Sequence, residues 1–221
     1  MKKRVVAAFI CISCLFLLLS GSSPKLISED EAKKAGLAFI NHVFDVSEKE
    51  AVVTYQELAG ATFVEGDYQV TGKEQPISIY VIAAGKQADG DYLYYAHVNA
   101  ETGVAYAAFR NTVFAPALTP AEQKALDEAL KIGNDRLVVY NEIFSDCEHA
   151  AQNWITDKFD LQAGILGFVE GGGALERAGA NANFYIVIRD GTIYHVTFAW
   201  PQLTVIDVTV LNQTRPMEEL P

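Results

Sequence analysis

The chain has 221 residues, of which 50% are apolar and 20% charged, enough to bury a sizeable core, so disorder is excluded as the default state. Its 17 Lys and Arg stand against 28 Asp and Glu, a formal net charge of −11 with a pI near 4.8. That balance argues against nucleic acid as a partner, because phosphate binding needs clustered cations.

Lys2-Lys3-Arg4, the apolar run from Val5 to Leu19 and the small polar segment Ser20-Gly21-Ser22-Ser23-Pro24 read as an export signal. The run is shorter than the roughly 20 residues a spanning helix needs, so residues 1–23 are expected to be cleaved, leaving no membrane span. Leu19-Ser20-Gly21-Ser22 looks like a lipoprotein cleavage box in which Ser replaces the lipid-carrying Cys, and Cys11 and Cys14 lie inside the apolar run. The expected location is therefore secreted or cell-envelope associated, with tethering through an uncleaved leader as the alternative. Cys147 is the one thiol outside the leader, and it cannot form an internal disulfide.

Ser28-Glu29-Asp30-Glu31 reads as a capping box that opens a helix, and Ala32, Ala35, Phe39, Ile40 and Val43 recur at helical spacing up to Phe44-Asp45-Val46. Gly36 on that stripe costs helix stability but permits a sheet to approach closely. Strands are expected at Ala51 to Leu58, Ala61 to Tyr68 and Ile77 to Ala84, the last apolar on both faces and hence central. The polar turn Gly85 to Asp91 leads into the hairpin Tyr92 to Phe109, whose two aromatic-rich runs bracket Asn99-Ala100-Glu101-Thr102-Gly103. Pro116 and Pro120 break strand geometry, and Thr119-Pro120 starts a short linker helix that runs to about Ile132.

The second half echoes the first. Phe44-Asp45-Val46 returns as Phe159-Asp160-Leu161, implying a second amphipathic helix from Asp146 to Phe159. Phe63-Val64-Glu65-Gly66 returns as Phe168-Val169-Glu170-Gly171, Tyr80-Val81-Ile82 as Tyr185-Ile186-Val187, and Asp89-Gly90 as Asp190-Gly191. Extending the last match sets Trp200-Pro201-Gln202-Leu203-Thr204 against Asn99-Ala100-Glu101-Thr102-Gly103, so the second copy has lost the turn glycine. Val205 to Leu211 can still form the closing strand.

The acidic helix start, the Ala-rich helix, the strands and the Asn-Ala-Glu-Thr-Gly turn over Ser28 to about Phe109 together resemble a PepSY-type domain, a module of secreted peptidase propeptides and bacterial envelope proteins. The resemblance implies a helix packed on an antiparallel sheet and a non-catalytic role such as inhibiting or chaperoning a peptidase. The expected organisation is α+β, with two tandem repeats, each a helix on a small antiparallel sheet, joined by a short linker helix. Its boundaries are signal peptide 1–23, first repeat 24–112, linker 113–140, divergent second repeat 141–215 and tail 216–221.

Candidate chemistry is sparse. Asp146-Cys147-Glu148-His149 gathers a thiol, an imidazole and carboxylates, but residues two apart on a helix face different ways, so Cys147 and His149 share no proton. A position near a helix start could still activate the thiol, which keeps an enzyme using Cys147 as an alternative. His42, His97, His149 and His195 show no metal spacing, and neither a metal nor a cofactor is expected. Gly171-Gly172-Gly173 lacks the Gly-Lys-Ser/Thr of a phosphate loop and reads as a flexible connection. Alternation sets Tyr194, Val196, Phe198 and Trp200 toward the helix. Carried back to the first copy, it sets Leu93, Tyr95 and His97 inward and Tyr92 and Tyr94 on the opposite side. Tyr92, Tyr94 and Trp200 are thus the candidate partner contacts, with packing of one repeat against the other as the plainer reading. The function expected is non-enzymatic regulation of a protein partner at the cell envelope, a peptidase by resemblance. The alternative is an envelope accessory protein that binds wall or peptide ligands.

Overall fold

A computed structural model describes residues 25–58, 64–65, 68–69, 77–114, 117–131, 136–159, 164–176 and 179–211; the leader and the C-terminal tail lie outside the described residues. The first helix, α1 (Glu29–Phe44), begins with the expected capping box. The Glu31 amide donates to Ser28 Oγ at 3.3 Å, and the Ser28 amide donates to Glu31 Oε2 at 2.9 Å. Three acidic residues in the first turn complement the positive helix end, and Asp45 closes the helix in a left-handed conformation at φ 54°. Ala32, Gly36, Ile40 and Val43 form its buried stripe.

The strands are β1 (Ala51–Leu58), a small hairpin of β2 (Val64–Glu65) and β3 (Tyr68–Gln69), β4 (Ile77–Lys86), β5 (Tyr92–Asn99) and β6 (Ala105–Arg110). The strand expected over Ala61 to Tyr68 is thus replaced by the β2–β3 hairpin, with residues 61–63 and 66–67 outside the described set. After β6 come α2 (Pro120–Lys131) and α3 (Arg136–Lys158), then β7 (Ile165–Glu176), β8 (Gly179–Ile188), β9 (Ile193–Trp200) and β10 (Thr204–Val210). Thr119 and Glu122 form a second reciprocal cap at the start of α2. The helix expected from Asp146 to Phe159 begins ten residues earlier, at Arg136, inside the segment assigned to the linker.

The fold is α+β. Eight strands make one antiparallel sheet in the order β1-β4-β5-β6-β10-β9-β8-β7. The sequence left open whether the two halves share one sheet or pack separately; their strands form one sheet. The last strand of each four-stranded run would otherwise carry unpaired amides and carbonyls, and β6 and β10 satisfy them by pairing Phe109, Ala108 and Ala107 with Asp207, Val208 and Thr209. The partners Ala96, Ala108, Val208 and Val196 carry one face across the seam. Both long helices lie on that face, α1 with Phe44 stacked on Tyr94 and α3 with Trp154 against Phe198 and Phe144 against Phe184. Their C-terminal ends meet: Lys158 forms an ion pair with Asp45, and its carbonyl lies 2.6 Å from His42 Nε2.

The sequence echoes coincide with structure at Phe44 and Phe159, where the two long helices end, and at the Asp-Gly turns but not in the middle strands; Asp160 and Leu161 lie outside the described residues. Tyr80 is buried on the helix face, whereas Tyr185 is 37% exposed on the other face; Val64 and Glu65 sit in the small hairpin, whereas Val169 and Glu170 sit in β7. The triple glycine is likewise no loose connection. It lies within β7, where a Cβ on Gly171 would fall 2.1 Å from Asn183 Oδ1 and one on Gly173 would fall 2.4 Å from the Asn181 carbonyl oxygen. The two seam hairpins match one residue away from the expected alignment. Gly103 takes φ 75° ahead of Val104, and Leu203 takes φ 51° ahead of Thr204, so Leu203 stands in the glycine's place. A left-handed leucine costs about 1–2 kcal/mol. The Trp200–Pro201 peptide in this turn is cis.

Gly36 sets the distance between α1 and the sheet. A Cβ there would lie 2.3 Å from Ile82 Cγ1 and 2.7 Å from Ile82 Cβ, on a fully buried side chain. Gly36→Ala should gain about 1 kcal/mol of helix propensity and lose about 2–3 kcal/mol to overpacking. The net loss of about 1–2 kcal/mol should appear as a lower urea midpoint; a variant as stable as the parent would show that α1 is free to shift.

Candidate functional site

A half-open cavity of about 260 Å³ lies on the helix face, where the two halves join. Val43, Phe44 and Asp45 at the end of α1 form one wall, and Ala150 and Trp154 of α3 form the opposite one. Tyr94 and Phe198 project from β5 and β9, and Leu203, Thr204 and Val205 close the end at the β9–β10 turn. The aromatic walls brace one another: Phe44 stacks on Tyr94 at 5.1 Å and Trp154 meets Phe198 at 6.1 Å.

One cation enters this apolar lining. Arg110, the last residue of β6, pairs with Tyr94 across the sheet and therefore shares the helix face. Its Nε is shut off from solvent and has no hydrogen-bond partner. Asp45 on the cavity wall does not neutralise it, because that carboxylate is held by Lys158. Among the described residues no carboxylate lies within ion-pair distance of Arg110. An unsatisfied donor on a charged group costs more than the ~1–3 kcal/mol typical of a neutral one, so the guanidinium is a ready anchor for an acceptor.

The opposite face of the seam holds a second polar group. Asp207 Oδ1 is also buried without a hydrogen-bond partner, 3.8 Å from His195 Nδ1. Burial pushes the Asp207 carboxyl up to about 6, with only partial relief from the Thr209 hydroxyl, and burial lowers His195. Both are thereby biased toward their neutral forms. His97 lies on the same face beside Tyr106 and Phe109, its pKa lowered by burial, with β6 and β10 between it and His195. Among the described residues no group of three His, Cys, Asp or Glu side chains converges as a metal site.

The structure redistributes the residues singled out from sequence. Tyr94 is only 8% exposed and packs on α1, so it is corrected from exposed contact to core; Tyr92 shares its face and is half-buried. Leu93, Tyr95 and His97, expected inward, lie on the other face, where Tyr95 stacks on Phe109. Trp200 is half-buried, and its indole N–H donates to Asp146 Oδ2 at 3.3 Å. Cys147 is fully buried well inside α3 rather than near its start, and burial, reinforced by the Asp146 charge, pushes its thiol up to about 12. A buried, protonated thiol cannot act as a nucleophile at neutral pH. Arg110 and Asp207 were missed in the sequence; the available signal was a charged residue interrupting or ending an apolar strand.

Two measurements follow from this geometry. In a chain carrying Cys11→Ser and Cys14→Ser, Cys147 should resist a disulfide-exchange reagent at pH 8 and react fully in denaturant. Fast labelling of the folded chain would restore the thiol as a candidate nucleophile. For Asp207 the folded state holds its proton more tightly than the unfolded chain, whose pKa is near 3.8. Its effect on stability is absent below about pH 4, grows as pH rises toward 6 and is complete above that. Asp207→Asn should therefore stabilise the protein at pH 7 by about 1 kcal/mol, discounted for partial exposure, and change little at pH 4. Equal effects at both pH values in thermal unfolding would remove the burial explanation.

No family model matches the chain, and no curated protein matches it. Among solved structures it is similar to the Bacillus megaterium YpeB C-terminal domain, at 11% identity and a TM-score of 0.40, over 89% of this chain and 70% of that one.

Proposed function

We propose that this chain is a non-enzymatic extracytoplasmic binding protein that regulates a protein partner at the cell envelope through the groove between α1 and α3. The observation that carries the reading is the lining of that groove. Aromatic side chains on rigid elements surround one guanidinium that lacks an acceptor, the mix of apolar wall and sparse polar anchor that recognition sites use. The inaccessible Cys147 weighs against the enzyme alternative.

The finer reading is of two tandem PepSY-like units whose sheets have merged. It is supported by the order helix then antiparallel strands in each half, by the matching Asp-Gly turns, and by the left-handed residue shared by the two seam hairpins. In that reading the partner class is a secreted peptidase. Wall or peptide ligands are the alternative occupants of the same groove. Export of the chain with loss of residues 1–23 belongs to this proposal too.

Leu203, 41% exposed on the groove wall, offers a place to test it. A photo-crosslinking residue at position 203, in cells of the native host, should capture a discrete envelope protein. The same residue at Val52, 49% exposed on β1, should not. Purified chain should then slow that partner if it is a peptidase. No protein captured at 203 beyond the Val52 background would overturn the reading.

A further inference from the structure

Arg110 and the size of its cavity define a ligand more narrowly than "a partner". We propose that the groove takes the chain-terminal carboxylate of a peptide that ends in an apolar residue, with Arg110 receiving the carboxylate and the aromatic walls receiving the last side chain. This deepens the binding role above and rests on it.

Three features lead to that chemistry. A cavity of about 260 Å³ holds one large side chain with its terminal carboxylate and little more, so the rest of a peptide has to leave through the open mouth. The lining is apolar or aromatic apart from Arg110, Thr204 and Asp45, and Asp45 is occupied by Lys158. A single planar guanidinium that lines the cavity and has no ion-pair partner among the described residues matches a carboxylate, which a guanidinium can bind through two parallel N–H···O bonds. A phosphate or a polyanion fits poorly. The chain carries a net charge of −11, and among the described residues no second cation lines the cavity to share a larger charge. An internal peptide segment offers a carboxylate only on an Asp or Glu side chain, which brings no large apolar group of its own for the aromatic walls.

The test is calorimetric titration of the full chain with three probes: Ala-Ala-Ala-Phe as the free acid, the same peptide as its C-terminal amide, and 3-phenylpropionate. The free acid should bind, and the amide should bind at least about tenfold more weakly. Arg110→Gln should weaken the free acid by about the same factor without changing the amide, and Arg110→Lys should recover part of the loss. If Arg110→Gln does not fold, the comparison of acid with amide on the parent chain decides alone. Equal binding of acid and amide, or no binding of either, overturns the assignment. A phenylpropionate affinity equal to the peptide's overturns the peptide as ligand and assigns the site to a free small carboxylic acid. Capture of a partner at position 203 together with any of these negative results would leave the binding role standing and remove only the carboxylate.

Discussion

The three-residue pairing of β6 with β10 is the interaction on which the rest of the molecule depends. Because side chains alternate along a strand, that register fixes which face every residue of the eight-stranded sheet presents. It puts Val208 beside Ala108 on the helix face and Asp207 beside Phe109 on the other. It also brings α1 and α3 to one side, where their C-terminal ends lock through His42, Asp45 and Lys158. Small residues at the seam, Ala107 and Ala108, allow the two halves to close without steric conflict.

A groove follows from dimensions alone. Eight strands at their usual spacing span about 34 Å, whereas two helices of about 10 Å diameter roof about 20 Å. Helix α1 covers β1, β4, β5 and β6 and only touches β10, and α3 covers β8 and β9, so between the helices the roof is thinnest over β10. The space left there is floored by Tyr94 and Phe198 and closed at one end by the turn carrying Leu203. A glycine at position 203 would hold the turn with less strain but would remove part of the wall. The strained leucine therefore lies where a side chain shapes the cavity.

Local features were legible in the sequence because they are decided within a few residues. The Ser28 and Thr119 caps, the close approach at Gly36, the extent of β1 and the Asp-Gly turns all emerge as read. What failed was phase. The two hairpins match at an offset one residue shorter than the Asp-Gly turns do, since buried Tyr94, Ala96 and Val98 correspond to buried Tyr194, Val196 and Phe198, and a one-residue shift exchanges the two faces. Tyr94, Ala96 and Val98 therefore face α1, while Leu93, Tyr95 and His97 do not. The merging of the sheets was illegible for a related reason: a free strand edge reveals no partner from its own composition.

The groove shows why such a site escapes sequence inspection even when its parts are ordinary. Its lining comes from α1, β5, β6, α3, β9 and the β9–β10 turn, with no fixed spacing among them. Arg110 in the sequence is simply the residue that ends an apolar strand. Its importance comes from what surrounds it in space: Tyr94 across the ladder, Lys158 diverting Asp45, and the aromatic lining it shares. At physiological ionic strength the negative field of the whole chain fades within about 8 Å, so distant charges repel a single carboxylate only weakly. Inside the groove the dielectric is lower and one guanidinium acts over a few ångströms. The overall charge disfavours polyanions while the local cation favours one carboxylate on an apolar body. This acidic protein can therefore hold an anion-selective pocket.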